Sequence, residues 1–250
     1  MQNLEGQRVL ITGGNSGLGL GIAAALVDRR ASVTVVGRDA VRLDDVRRRL
    51  GVATIRGDVT DRALARSALG DVRPTVVVLN AGATPVMAPL HEQSWEDFSV
   101  AWNTDVKAGL IWIQEALRLP LARGSRVLVG SSGAAVAGSP LSGGYGGAKR
   151  MLWMMASYAN ASSAELDRGI RFQALVPQQI IGDTDLGRKA AEAYARRKGI
   201  TTEAFLLSFG GPMPPRQYGE HVATILTDPT YADMTALGIK GDTGIRSLDG

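Results

Sequence analysis

The sequence contains no cysteine among its 250 residues. Disulfide bridges, thiolate metal sites and cysteine nucleophiles are therefore excluded. Apolar stretches are also short, and none approaches the roughly 18 consecutive residues of a membrane-spanning helix. Residues 1–8 lack the charged and then apolar layout of a secretory signal. We therefore expect a cytoplasmic protein with no membrane partner.

Histidine is scarce. The only two, His91 and His221, do not stand beside a serine or an acid in the manner of a hydrolase triad. The sequence also lacks groups of histidine and carboxylate residues with the spacing of metal ligands. We therefore predict neither a hydrolase triad nor a metal site.

The excess of charge of one sign is small, with a formal net charge of +4. The densest basic stretch, residues 38–49, alternates with aspartates, as the solvated face of a helix does. A nucleic-acid partner would need a larger and more continuous basic surface. We therefore predict that no nucleic acid binds.

What the sequence does contain is a regular alternation of short apolar runs and helical patterns. The runs cover residues 8–12, 32–36, 53–56, 75–79, 126–130, 171–176 and 245–248. Continuous apolar runs of this kind are typical of strands that helices cover on both faces of a parallel sheet. We therefore predict a single α/β domain over residues 1–250, with a doubly wound, Rossmann-type parallel sheet of about seven strands.

Residues 183–216 interrupt this pattern with an irregular stretch that contains glycine and proline. The stretch follows the predicted sixth strand, near the edge of the sheet where ligands bind in such folds, so we expect it to cover a substrate. Phe205, Leu206, Leu207 and Phe209 favour an apolar wall there. The arginines of the stretch fit a solvated helix face better than an acid-binding site.

A glycine-rich turn, residues 12–19, lies between the first strand and the first predicted helix. Free amides at the start of a helix bind phosphate, and glycine lets the backbone approach a ligand closely. We therefore predict that the pyrophosphate of a dinucleotide binds here. The residues concerned are Gly13, Asn15, Ser16, Gly17, Leu18 and Gly19. The alternative is a glycine-rich turn that binds no ligand.

The end of the second strand bears on which dinucleotide is bound. NAD is favoured by an acid about twenty residues beyond the glycines, but the strand ends in Gly37 and Arg38. Gly37 leaves room, and the Arg38 guanidinium suits a 2′-phosphate. We predict NADP(H) as the preferred cofactor, with NAD(H) possible. The alternative is that Arg38 simply faces solvent.

Tyr145 and Lys149 are four residues apart, and Ser132 lies thirteen residues before the tyrosine. On a helix, residues at i and i+4 share a face, so the lysine ammonium would favour the phenolate form of the tyrosine. A tyrosine in such a field can exchange protons near neutral pH. The alternative is a chance pair on a helix surface, where the tyrosine and lysine are merely solvated.

Taken together, these motifs resemble the short-chain dehydrogenase/reductase family in order, spacing and placement. The residues that carry the resemblance are Thr12, Gly13, Gly17, Gly19, Leu79, Asn80, Ala81, Gly82, Asn103, Ser132, Tyr145 and Lys149. The resemblance implies that Tyr145 exchanges a proton with the substrate oxygen while a hydride crosses to or from nicotinamide. It also implies that Lys149 binds the nicotinamide ribose, and that Ser132 orients the substrate oxygen. Ser131 is the nearby competitor for that role.

The same resemblance implies the surroundings of the adenosine. The segment Asn80, Ala81 and Gly82 would support the sheet and line the adenosine side of the cofactor site. Asp58 and Val59 would lie at the adenine. An alternative for Asp58 is that it caps the helix that opens near residue 61.

The resemblance further implies that Asn103 anchors a water chain to the lysine, and that Pro177 and Ile180 bind the cofactor near its carboxamide. Thr184 is displaced from the position of the family's threonine, so its contact with nicotinamide is left open. Residues 243–250 are one residue tighter than the usual pattern, so the last strand is expected to sit differently.

Two functions fit these observations. The first is an NADP(H)-dependent carbonyl reductase or alcohol dehydrogenase for a small-to-medium, partly apolar ketone or secondary alcohol. The second is a non-catalytic NADP(H)-binding, redox-sensing regulator. Intact Ser132, Tyr145 and Lys149 favour the enzyme. Residues 151–155 are apolar nearly all round, and the family resemblance implies pairing of this helix between subunits, hence a homodimer or homotetramer.

Overall fold

The computed structural model describes residues 3–119, 121–181 and 184–249. Within these ranges the chain forms one sheet of eight strands in the order β3-β2-β1-β4-β5-β6-β7-β8. The strands are β1 Arg8–Thr12, β2 Ser32–Gly37, β3 Ala53–Arg56, β4 Val76–Leu79, β5 Arg126–Gly130, β6 Arg171–Pro177, β7 Ala236–Lys240 and β8 Gly244–Ser247. Strands β1 to β7 pair in parallel, and β8 pairs with β7 in antiparallel. The predicted doubly wound α/β fold is confirmed.

Helices cover both faces of the sheet. They are α1 Gly17–Val27, α2 Ala40–Leu50, α3 Arg62–Val72, α4 Trp95–Ala101, α5 Lys107–Arg118, α6 Ala134–Ala137, α7 Tyr145–Glu165, α8 Asp185–Lys198, α9 Thr202–Leu207 and α10 Pro215–Thr227. A π-helical turn, Trp102–Val106, joins α4 to α5. Two 3-10 turns, Leu90–Glu92 and Pro229–Tyr231, complete the helical elements of the described residues.

Alternate residues of each strand enter two separate cores, as the period of a β-strand requires. Val9 and Ile11 of β1 pack with α1, α2 and α10 on one face. Leu10, between them, packs with α3, α5 and α7 on the other. Both faces of the sheet are therefore buried, which explains why its strands read as continuous apolar runs.

The sheet differs from the prediction at its carboxyl-terminal edge. Strand β7 is absent from the predicted strands, because Gly238 interrupts its short apolar run, and a glycine at that point weakens a strand pattern. Strand β7 is buried because it pairs with β6. The predicted last strand is present as β8, but it runs antiparallel at the edge.

The predicted irregular segment 183–216 is largely helical. Its first residue lies outside the described residues, as do residues 1, 2 and 250 of the predicted domain. From Thr184 onward it forms α8 and α9, and Thr184 caps α8 by accepting a hydrogen bond from the amide of Gly187 at 3.0 Å. Ala191 and Ala195 are the buried face of α8. Such small residues give a weak apolar periodicity, which is why the sequence pattern does not reveal the helix.

The reversal of strand order lies between β1 and β4, since β2 and β3 are on one side of β1 and β4 to β8 on the other. In open α/β sheets the ligand crevice lies beyond the carboxyl ends of the strands at such a point. The fold therefore predicts a ligand site among the loops that follow β1, β2, β4, β5 and β6.

Candidate active site

One cavity of about 1220 Å³ lies at the carboxyl ends of the strands. Most of the predicted site residues line it. They are Gly13, Asn15, Ser16, Gly17, Leu18, Arg38, Asp58, Val59, Asn80, Ala81, Gly82, Ser132, Tyr145, Lys149, Pro177 and Ile180. Two predicted residues, Gly19 and Asn103, are not among those that line it.

The glycine turn fits closely against the end of β4. Gly13 has a φ of +67°, and a Cβ on it would lie 2.9 Å from Cα of Ala81. A side chain at Gly19 would meet the carbonyl oxygen of Gly13 at 2.2 Å. Gly13 therefore permits the turn itself, whereas Gly19 permits α1 to pack against that turn without reaching the cavity.

The start of α1 leaves backbone amides available. Ser16 precedes the helix with extended backbone angles, and its side chain makes no capping hydrogen bond. The first amides of a helix have no partner within the helix, and this end carries a partial positive charge. An anionic group in the cavity would therefore find donors at the start of α1.

A threonine links the ends of β1 and β4. The hydroxyl oxygen of Thr12 accepts hydrogen bonds from the amides of Asn80 at 3.0 Å and Ala81 at 3.2 Å. The Asn80 side-chain nitrogen donates to the carbonyl oxygen of Gly13 at 3.3 Å. These bonds fix the backbone of Asn80 and Ala81 relative to β1. They also engage the side-chain nitrogen of Asn80 with the glycine turn.

At the end of β2, the nearest acid is already engaged. Asp39 caps α2, and its Oδ1 accepts from the amides of Val41 at 3.0 Å and Arg42 at 3.1 Å. Arg38, one residue earlier, is exposed at the cavity wall. Within the described residues, Arg38 has no carboxylate within ion-pair distance. The Arg38 guanidinium therefore lies in the cavity wall without a paired acid, and Asp39, Arg42 and Asp58 line the same wall.

Asp58 lies near the start of the loop after β3. Its Oδ1 accepts from the amide and hydroxyl of Thr60 at 2.8 and 2.9 Å. These bonds, and then the positive charge of Arg38, hold the pKa of the Asp58 carboxyl below its usual value. The alternative in which Asp58 caps the next helix is wrong, because Asp61 caps α3 through the amide of Ala63.

The tyrosine and the lysine lie one turn apart at the start of α7, and both are buried. The Lys149 ammonium nitrogen is 5.5 Å from the centroid of the Tyr145 ring. It also lies 3.5 Å from the carbonyl oxygen of Gly130 at the end of β5. The surface-pair alternative is therefore excluded for these two residues.

The two serines after β5 differ in their partners. Ser131 is buried, and its hydroxyl donates to the backbone carbonyl of Lys149 at 2.8 Å. Ser132 is half-buried in the cavity wall, and its oxygen accepts from the amide of Ala134 at 3.2 Å. Because Ser132 only accepts in this arrangement, its own proton remains available to a ligand.

Asn103 does not reach the lysine. It is exposed on the π-helical turn, and its Nδ2 donates to the Ser99 hydroxyl at 3.0 Å. The residue that contacts Lys149 is Asp105, whose Oδ2 lies 2.9 Å from the ammonium nitrogen. The prediction for Asn103 is therefore corrected: two residues further on, a carboxylate takes the place beside the lysine.

The spacing of the apolar residues around position 105 is a signal in the sequence that would have identified Asp105. Ala101, Asp105, Ala108 and Trp112 are all buried, and their spacing of four, three and four residues is that of one helix face. An acid on an otherwise apolar face needs a partner. Asn103 lies off that face, which explains its exposure.

Burial and charge act in opposite directions on the lysine. Burial lowers the pKa of Lys149, but the negative charge of Asp105 and that of an ionised Tyr145 raise it, and the net effect is an increase above the usual value. Lys149 therefore remains an ammonium at neutral pH.

The cover of the cavity is formed by α8 and α9. Phe205 is buried and stacks on Tyr194, with ring centroids 5.9 Å apart. Phe209 lies 5.1 Å from the Phe205 ring and also lines the cavity, whereas Leu206 and Leu207 do not line it. The predicted apolar wall is therefore narrower than expected, and it includes the unpredicted Tyr194.

Tyr194 also ties the cover to the loop after β5. Its hydroxyl oxygen lies 2.8 Å from that of Ser139 and accepts from the amide of Leu141 at 3.1 Å. At the other end, Thr184 comes within 3.3 Å of the position that a Cβ on Gly17 would occupy. The start of α8 thus approaches the glycine turn. Further along the helix, Tyr194 connects α8 to the loop after β5.

Among the described residues, no three histidine, aspartate or glutamate side chains converge as metal ligands. Nor does any helix in those ranges combine the length and apolar character needed to cross a membrane.

The chain is similar in sequence and in fold to known dehydrogenases and reductases. A family model described as short chain dehydrogenase matches residues 7–195. Oxidoreductase asL5 of Sarocladium schorii is 28% identical over 261 residues, covering 99% of each chain. L-xylulose reductase of Bos taurus is 33% identical over 123 residues, which is 49% of this chain and 50% of that protein. The crystal structure of levodione reductase matches with a TM-score of 0.82 at 20% identity, covering 96% of this chain and 98% of the other.

Proposed function

The chain belongs to the short-chain dehydrogenase/reductase family, and on that premise we propose that it is an NADP(H)-dependent carbonyl reductase or alcohol dehydrogenase. Its substrate in this proposal is a small-to-medium, partly apolar ketone or secondary alcohol. The observation that carries the proposal is the convergence of Ser132, Tyr145 and Lys149 on the same cavity as the glycine turn.

The residues of the cavity fit a dinucleotide. Gly13 leaves space where a side chain would press on Ala81, and the first amides of α1 are free for phosphate oxygens. The adenosine half would lie along Arg38, Asp58 and Asn80. Val59, Ala81 and Gly82 would complete the walls of that half. The ribose and nicotinamide half would extend toward Lys149, with Pro177 and Ile180 beside it.

The preference for NADP(H) rests on charge at the end of β2. Arg38 has no carboxylate within ion-pair distance among the described residues, so its guanidinium is available for a 2′-phosphate, which it can bind in bidentate fashion. Asp39 is the nearest acid, but its Oδ1 accepts from two amides of α2 and its Oδ2 lies 3.5 Å from Nε of Arg42.

The proposed mechanism assigns one task to each side chain. When bound, nicotinamide supplies or accepts the hydride. During reduction, Tyr145 donates its hydroxyl proton to the carbonyl oxygen, and during oxidation it takes the proton back from the alcohol. Lys149 stabilises the phenolate that remains, and Ser132 donates a hydrogen bond to the substrate oxygen as negative charge develops there.

The substrate proposal rests on the aromatic part of the cavity wall. Tyr194, Phe205 and Phe209 present aromatic surface on the α8–α9 side of the cavity. Ligand sites that combine apolar walls with a few placed polar groups favour apolar bodies with one polar end. A ketone or aromatic carbonyl meets that description better than a sugar.

We also propose a homodimer or homotetramer. Helices α5 and α7 pack together, with Gly109 against Leu152. Their outer surfaces expose Leu110, Met154 and Tyr158 at 46, 38 and 53%. Apolar groups exposed together on adjacent helices favour a subunit contact, and an isologous contact between copies is the commonest arrangement.

The test is a panel of ketones and alcohols assayed by NADPH absorbance, with wild type and Tyr145→Phe. We expect the variant to lose several orders of magnitude in kcat while its NADPH dissociation constant changes little. Tyr231→Phe, on a 3-10 turn outside the cavity, is the matched control and should retain full rate. A wild type that binds NADPH but turns over no carbonyl at a rate above that of Tyr145→Phe would favour the regulator instead.

A further inference from the structure

We propose that Asp105 is a positioning residue that neutralises the Lys149 ammonium and thereby keeps Tyr145 in its proton-donating form to higher pH, which suits carbonyl reduction. The inference rests on the proposed oxidoreductase function, since it concerns the same proton donor. It adds Asp105 to the proposed site. It also gives a preferred direction of reaction, carbonyl reduction, which Ser132, Tyr145 and Lys149 alone do not indicate.

The carboxylate is held firmly in place. Asp105 has a fully buried side chain, with 0% exposure, and Oδ1 accepts from the amide of Ala83 at 2.7 Å. Oδ2 lies 2.9 Å from the Lys149 nitrogen. A Cβ on Gly82 would come within 2.6 Å of Oδ2, so the loop after β4 closes tightly over the carboxylate. Asp105 therefore has little freedom to turn away from the lysine.

The contact is primarily electrostatic. Oδ2 of Asp105 is buried and has no donor at hydrogen-bonding angles among the described residues, although the ammonium lies at ion-pair distance. A buried carboxylate without a counter-charge is costly. The pairing thus stabilises both charges, and the π-helical turn that carries Asp105 is a local distortion often found at functional sites.

The titratable groups around the lysine can be counted element by element. The π-helical turn contributes Asp105, and α7 contributes Tyr145, the two groups whose charges act on Lys149. Strand β5 contributes only the carbonyl of Gly130, and the loop after β4 only the amide of Ala83, which bonds to Asp105. The cluster of aspartate, ammonium and neutral tyrosine therefore carries no net charge.

Net charge decides how readily the tyrosine loses its proton. Ionising Tyr145 beside the Asp105–Lys149 pair leaves a buried site with a net charge of −1. With a neutral residue at position 105, the same step takes the site from +1 to 0, which a buried environment favours. Asp105 therefore shifts proton loss to higher pH, so that the donor needed for reduction persists.

The first measurement is the pH dependence of kcat/KM for alcohol oxidation, which requires an ionised tyrosine. Asp105→Asn preserves the shape and can still accept the Ala83 bond. We expect the midpoint of its rising limb to move down by about 1–2 pH units, the usual effect of removing one close charge. The corresponding falling limb for ketone reduction should move in the same direction. Asp71→Asn, an exposed position on α3 outside the cavity, is the control and should leave both limbs in place.

The second measurement needs no turnover. Absorbance of tyrosinate is titrated in Asp105→Asn and in wild type, each minus the same protein with Tyr145→Phe, so that the other four tyrosines cancel. We expect the pH of half-development to be lower in the Asp105→Asn variant than in wild type. If the oxidoreductase assay fails while this shift is found, the proposed function falls and the electrostatic inference stands.

An unchanged midpoint, or one that rises, overturns the inference even if the rate falls, because a purely structural role predicts a loss of rate at every pH. A rise would mean that the lysine gives up its own proton when its counter-ion is removed. Should Asp105→Asn fail to fold, Asp105→Ser removes the same charge with a smaller side chain, and the same outcomes apply.

Discussion

The hydroxyl of Ser131, the residue just beyond β5, donates a hydrogen bond of 2.8 Å to the backbone carbonyl oxygen of Lys149, in the second turn of α7. This bond helps to fix the position of the Lys149 backbone relative to the end of β5. The adjacent Ser132, by contrast, keeps a proton for a ligand. In the proposed mechanism the two neighbouring serines therefore have separable roles, Ser131 in positioning α7 and Ser132 in contacting the substrate.

Replacing Ser132 should affect the reaction more than the fold. We expect Ser132→Ala to lower kcat by about 10²–10³, the usual cost of losing one donor to a developing oxyanion. Ser131→Ala should instead lower the free energy of unfolding by about 1 kcal/mol, the usual net value of a hydrogen bond. Steady-state kinetics and urea unfolding of both variants check this. Equal rate losses in the two would contradict the assignment of Ser132.

Cofactor preference should depend on Arg38. We expect Arg38→Ala to lower kcat/KM for NADPH by about 10–100-fold, since a hydrogen bond to a charged group contributes about 1.5–3 kcal/mol. The value for NADH should change little, because NADH lacks the 2′-phosphate. Arg48→Ala, on the exposed side of α2 away from the cavity, is the control. A native enzyme with a tenfold preference for NAD(H) would refute the proposal outright.

Two glycines should respond to alanine in opposite ways. Gly19→Ala would place a methyl group 2.2 Å from the Gly13 carbonyl oxygen, so we expect a loss of about 1–3 kcal/mol in the free energy of unfolding and weaker NADPH binding. Gly70, exposed inside α3, has nothing within 4 Å of the new methyl, so Gly70→Ala should gain about 0.5–1 kcal/mol. Urea unfolding measures both. Similar signs would contradict the packing described for the turn.

The subunit contact should depend on the outer surface of α7. We expect Met154→Glu to shift the protein toward monomer in light scattering at micromolar concentration, because a charge buried in an apolar contact has no partner. Val41→Glu, at 76% exposure on α2, is the matched control and should leave the mass unchanged. A wild type that is already monomeric would rule out the proposed oligomer.

The sequence predicts the strands well where burial on both faces makes them continuous apolar runs, as in β1 and β5. It predicts the edges poorly. Strand β7 contains a glycine and is buried through its pairing with β6, and α8 has alanines on its buried face. In both cases, packing against a neighbour stabilises the element more than its own pattern does.

Within the site, nearly every residue that the sequence predicts does line the cavity. The prediction succeeds there because glycine turns, strand ends and i, i+4 pairs are local features. The prediction for Asn103 fails because it follows the family motif and not the apolar face of the helix. Whether residue 103 or residue 105 faces the lysine depends on the rotation of the helical segment as it packs against α7, and the buried face of Ala101, Ala108 and Trp112 fixes that rotation.

The sequence by itself thus determined most of the strands, the glycine-rich turn after β1, and the tyrosine and lysine one turn apart, since each follows from residues close in the chain. Only the tertiary structure decided what stands beside the lysine. Asp105 and Lys149 are 44 residues apart in the chain and meet at 2.9 Å. They do so because burying two apolar helix faces brings a carboxylate and an ammonium into a region where neither is stable without the other.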